Sequence, residues 1–131
     1  MPLGRLAMLV AQMPSWFELI VNRDDLELQP SGGSNVNQTP LRTAADLVSA
    51  HDKAIDAAKR ALRGSNEDQL AKPWSLLVKG NTVAKQPREI VIRDTFMHLS
   101  HHRAQLTVYL RLLGAPVPAI YGPSADDQTF A

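Results

Sequence analysis

Apolar residues recur at helical spacing in three stretches of the chain. From Leu3 to Asn22, the side chains of Leu6, Val10, Met13, Phe17 and Ile20 follow intervals of four and three and share one face. Pro14 lies inside this pattern, has no N–H to bond Val10, and predicts a kink. Arg23-Asp24-Asp25 ends the stretch. A second helix opens at Thr43 and Asp46, a pair suited to taking the free N–H groups of a first turn. Its expected inner stripe is Leu47, His51, Ile55, Ala58 and Leu62, with Gly64 as terminator. The third starts at Pro87, a first-turn proline, and runs to Leu113, before Gly114 and Pro116. Ile92, Phe96, Leu99, Leu106, Leu110 and Leu113 form its stripe, which Arg103 interrupts.

The segments between carry other signals. Residues 29–40 are polar and rich in Gly, Ser and Asn, which predicts a loop. Leu76, Val78 and Val83 around Lys79-Gly80-Asn81 predict a short hairpin or extended strap at 74–86. Residues 115–131 have no period and read as a tail. The expected fold class is all-α: an up-down helical bundle in one domain, 1–131, with main helices at about 3–22, 43–63 and 87–113.

The chain has 131 residues, 14 Lys+Arg against 13 Asp+Glu, and no Cys. Near-neutral charge argues against nucleic-acid and membrane-surface partners, which call for a basic patch. Without Cys there is no disulfide, thiolate zinc site or Cys nucleophile. The Leu6–Ala11 run is far shorter than the ~20 residues of a membrane span. A cytoplasmic location is expected.

Three of the four histidines stand in His98-Leu99-Ser100-His101-His102. His98 and His102, four apart, lie one above the other on a helix, so both imidazoles can meet one divalent ion such as zinc, nickel or iron. Such a pair also arises by chance in helices. Asp94, one turn earlier, suits a third ligand or an acceptor that fixes a histidine tautomer. His101 points away from the pair. His51, inside an apolar stripe, is either a core histidine with one hydrogen bond or a third ligand from a neighbouring helix. Arg103 is a snorkelling side chain or a buried anion anchor. Trp16 and Trp74 suit the core or a pocket wall.

The run from His98 to Asp127, with its Pro116-Val-Pro break and Tyr121-Gly-Pro-Ser-Ala-Asp tail, resembles the C-terminal signature of the DinB-like (DinB/YfiT) family. Leu3-Gly4-Arg5-Leu6-Ala7, Met13-Pro14-Ser15-Trp16 and Lys72-Pro73-Trp74-Ser75-Leu76 extend the resemblance over nearly the whole chain. The resemblance implies a four-helix bundle that holds a divalent metal on three histidines. His98 and His102 match two of them, whereas Leu9 stands at the third place and cannot ligate. A metal would rest on the pair unless His51, Asp94 or a partner chain completes it. Family members usually start with a further helix, so the resemblance implies an uncovered apolar groove and a homodimer. It also implies a metal-dependent transferase or hydrolase-like enzyme acting with a low-molecular-weight thiol on a small electrophile, in a pocket near Trp16, Arg103, Tyr109 and Asp94. The alternative is a metal-poor relative that binds a small ligand or a protein without catalysis. No catalytic residue is assigned.

Overall fold

A computed structural model describes residues 1–30 and 41–130. Residues 31–40 of the loop expected at 29–40 and the terminal Ala131 lie outside the described residues. Among the described residues, five helices and three strands follow in the order α1 (Leu3–Gln12), α2 (Ser15–Asn22), β1 (Asp25–Glu27), α3 (Ala44–Gly64), α4 (Glu67–Leu70), β2 (Pro73–Val78), β3 (Asn81–Pro87) and α5 (Arg88–Leu112).

The first periodic stretch is two helices rather than one kinked helix. The chain turns at Met13-Pro14, where Trp16 and Phe17 bond back only three residues, to the Met13 and Pro14 carbonyls. The Ser15 hydroxyl donates to the Gln12 carbonyl at 2.8 Å and satisfies one of the acceptors the break leaves open. Met13 and Pro14 are fully buried, so the break sits inside the core. Phe17, Ile20 and Val21 of α2 meet Ala58, Trp74 and Ile92 there.

α3 begins with a complete capping box. Thr43 Oγ1 accepts from the Asp46 N–H at 3.1 Å, and Asp46 Oδ2 accepts from the Thr43 N–H at 3.0 Å. Thr43→Ala is expected to cost about 1 kcal/mol, read as a lower urea midpoint with an unchanged slope. Gly64 does not terminate this helix. It belongs to the last turn, and Ser65 ends the helix in extended geometry with its hydroxyl donating to the Leu62 carbonyl. α5 does stop at its glycine. Gly114 has φ +69°, and the Gly114 and Ala115 N–H groups bond the Arg111 and Leu110 carbonyls in the paired pattern of a Schellman motif.

The all-α expectation is overturned by a three-stranded mixed sheet, although helix still makes up more than half of the structure. The strap at 74–86 is a true hairpin, β2 antiparallel to β3, with a bulge at Leu76/Leu77. Its two-residue turn has Lys79 at φ 51° and Gly80 at φ 77°, the signs of a type I′ turn. β1 adds on the other side of β2 in parallel, with Leu26 opposite Leu76. A parallel pair needs a long crossover, which α3 and α4 provide.

Glu27 at the end of β1 ties the sheet together. Its carboxylate accepts from the N–H groups of Lys79 and Gly80 at 3.0 and 2.7 Å, and from Gln29 at 2.7 Å. The Gly80 N–H above all holds this carboxyl below the usual glutamate value. The Arg111 side chain does the same for Asp126, and the Ala119 N–H for Asp127. Carboxyls whose folded pKa is depressed stabilise fully above their unfolded pKa of about 4 and lose that stability as pH falls through the lower folded value. Stability is therefore expected to fall as pH drops from about 5 to 3, and Glu27→Gln to flatten that slope, in thermal unfolding followed across the range.

α1 and α2 lie between the other long helices: α3 and α5 both pack on them and meet each other only slightly. The space left between α3 and α5 is bounded by α2 and by the Trp74 end of the sheet. That gap is the structural basis of the site.

Candidate functional site

α5 brings the two predicted histidines together. His98 Nε2 and His102 Nε2 are 2.9 Å apart, with ring centroids separated by 4.6 Å. Gln105, one turn further on, organises them. Its Oε1 can only accept, so the 2.8 Å contact places a hydrogen on His102 Nδ1, which in the neutral ring leaves Nε2 with a lone pair. His98 Nε2–H then donates to that lone pair. The Gln105 amide N–H₂ completes the chain by donating to His101 Nε2 at 3.1 Å. Gln105 was not singled out in the sequence, because a lone glutamine carries no motif; its place three residues after His102 was the available signal.

His98 sits on the rim of the gap between α3 and α5. That gap is a cavity of about 640 Å³, with walls from Trp16, Leu19 and Ile20 of α2, Ala50 and Ala54 of α3, and Trp74 of β2. A smaller cavity of about 300 Å³ on the sheet side also reaches His98 and includes Asp94. Trp16 stands 5.8 Å from the His98 ring. Partial burial, with the nearby His102 and His101 rings assisting, holds the His98 imidazole below the usual histidine value. It is therefore neutral at pH 7, as a metal ligand must be.

Other expected site residues are elsewhere. The inner face of α3 centres on Ala54 and Ala58, which leaves His51 at its edge with its side chain 43% exposed, 3.8 Å from Asp52. Asp94 pairs with Arg93 at 2.9 Å and touches no histidine in the hydrogen-bond network. Arg103 donates to the Tyr121 hydroxyl and lies 5.0 Å over that ring. The Tyr109 hydroxyl donates to the Met1 carbonyl at 2.9 Å. Of Trp16, Arg103, Tyr109 and Asp94, Trp16 lines the larger cavity, and Trp74 joins it in the wall.

The paired nitrogens can fill two positions on a metal once the His98 hydrogen moves from Nε2 to Nδ1. Two nitrogens on one tetrahedral zinc, each at about 2.0–2.1 Å, lie about 3.3–3.4 Å apart, so the 2.9 Å pair needs to open only slightly. Among the described residues no group of three His, Cys, Asp or Glu side chains could hold a metal ion. No described helix is long and apolar enough to cross a membrane.

Fold and site together define a helix-bundle protein with a small sheet and a paired-imidazole site on the rim of an apolar cavity. The chain belongs to the DinB family, whose model matches residues 5–129. It is similar to the uncharacterized protein YrdA of Bacillus subtilis (strain 168), at 28% identity over 111 residues. That match covers 83% of this chain and 61% of YrdA, so the chain spans about three fifths of the curated relative it matches. No solved structure matches.

Proposed function

We propose that this DinB-family chain binds a divalent metal on His98 and His102 and acts as a transferase that joins a low-molecular-weight thiol to a small electrophile. The observation that carries this reading is the convergence of the two Nε2 atoms, 2.9 Å apart, at the mouth of an apolar cavity. A metal held there supplies positive charge that lowers the pKa of a thiol or water at neutral pH. Gln105 keeps the His102 lone pair aimed at the site. Trp16 and the cavity walls exclude water and seat the electrophile beside His98. With no Cys in the chain, the thiol comes from solution, which suits a reducing cytoplasm. The exposed stripe Met97, Val108 and Leu112 on α5 suits a homodimer, which light scattering would detect.

A second reading is a metal-poor relative that binds a small ligand without catalysis. The absence of a three-donor group among the described residues favours it. Elemental analysis after incubation with zinc or nickel separates the two. About one equivalent per chain supports the metal reading, and less than about a tenth sinks it.

A further inference from the structure

The larger cavity has a chemical character that the histidine pair does not explain. None of its described lining side chains is Lys, Arg, Asp or Glu. Away from the His98 rim, an ionic ligand would lose water there and find no counter-charge on a side chain. Ser15 Oγ donates to the Gln12 carbonyl and Thr95 Oγ1 to the Val91 carbonyl, at 2.8 and 2.7 Å, so both hydroxyls keep only lone pairs for a ligand. Trp74, shared by both cavities, is 6% exposed, and its buried Nε1–H has no acceptor. Buried N–H groups almost always find a partner, and this one has none among the described residues; an acceptor on a ligand reaches it once the Trp74 ring, which lines the cavity, turns toward it. A volume near 640 Å³ falls in the ordinary range for small-molecule sites.

We infer that the cavity binds an uncharged, mainly apolar small molecule that carries a carbonyl or similar acceptor for Trp74. This names the class of electrophile for the proposed transferase and rests on that reading for its role, but its test needs no metal. N-phenyl-1-naphthylamine and its 8-sulfonate differ by one charge and fluoresce on leaving water. Titrated into the whole chain in EDTA, the uncharged probe is expected to bind at least about tenfold more tightly than the sulfonate. Leu19→Glu, which puts a carboxylate on the wall, and Ala50→Trp, which fills the space, are each expected to weaken it at least about tenfold while a cooperative thermal transition is retained. Equal or tighter binding of the sulfonate, or probe binding that neither substitution weakens, overturns the proposal. So does probe affinity that falls as light scattering shows chains associating, because a second copy then occupies the cavity. For the acceptor, 2-acetylnaphthalene and 2-ethylnaphthalene serve as competitors. Trp74→Phe should weaken the ketone at least about threefold more than the hydrocarbon, and equal losses overturn the assignment to Trp74. A chain that binds the probe but takes up no zinc fails the metal reading alone; the reverse result fails this one alone.

Discussion

Replacing Arg88 with methionine is expected to destabilise the protein by about 3–5 kcal/mol, a large share of the stability of a domain this size. Arg88 is 3% exposed, and its guanidinium donates to the carbonyls of Ile20, Pro73 and Arg23 at 3.0 Å each and to the Asp24 carboxylate. One side chain thus fastens the end of α2, the approach to β1, the start of β2 and the first turn of α5. Methionine fills similar space but leaves three carbonyls without that donor, at about 1–3 kcal/mol for each that water cannot reach. The ion pair is the lesser part, because the Asp24 side chain is 90% exposed and screened. Asp24→Asn should therefore cost less than about 1 kcal/mol. Lysine at 88 should fall between, since one ammonium cannot reproduce the fork. Urea unfolding of the three variants checks the order; equal losses for Arg88→Met and Asp24→Asn would contradict it.

Removing either histidine of the pair is expected to lower zinc affinity at least about 100-fold, which is about 2.7 kcal/mol. With two protein donors, each carries a large share of the binding, and no described carboxylate stands ready to replace it. Gln105→Leu should weaken zinc by about 10–100-fold, because His102 is then free to move its hydrogen to Nε2. Gln105→Glu keeps an acceptor opposite Nδ1 and should retain most of the affinity. Nitrogen-15 shifts of the metal-free protein report the same device: His102 should carry its hydrogen on Nδ1 in the parent and lose that preference in Gln105→Leu. Competition with a chromophoric chelator gives the affinities. Wild-type binding no tighter than that of His102→Ala would remove the pair as a metal site.

Local signals made the helices legible. Thr43 with Asp46 marks the start of α3, and Pro87 and Gly114 bracket α5, because each acts on backbone groups within one turn. The spacing of His98 and His102 likewise reports a single helix face. What escaped was set by distant partners. β1 is three residues long, and its partner strand begins beyond α4, so no local period announces it. Arg88 reads as an ordinary first-turn residue until three other chain segments converge on it. The face of α3 was placed too far toward His51, since Ala50, Ala54 and Ala58 give a weak apolar signal beside Leu47 and Ile55. Arg103 interrupts the apolar stripe and the resemblance sets Tyr109 near the pocket, yet Tyr121 of the tail and the Met1 carbonyl bond them.

The parallel pairing of β1 with β2 also bears on how the chain is made. Asp25 sits opposite Ser75, fifty positions later, and Glu27 waits for a turn that follows only at Lys79 and Gly80. Closing so long a loop is slow and gains nothing until both ends have emerged. On the ribosome, α1 and α2 can collapse onto α3 while the cavity still lacks its Trp74 wall. Until β2 has emerged, the nascent chain leaves that apolar surface open, and the finished fold partly closes it.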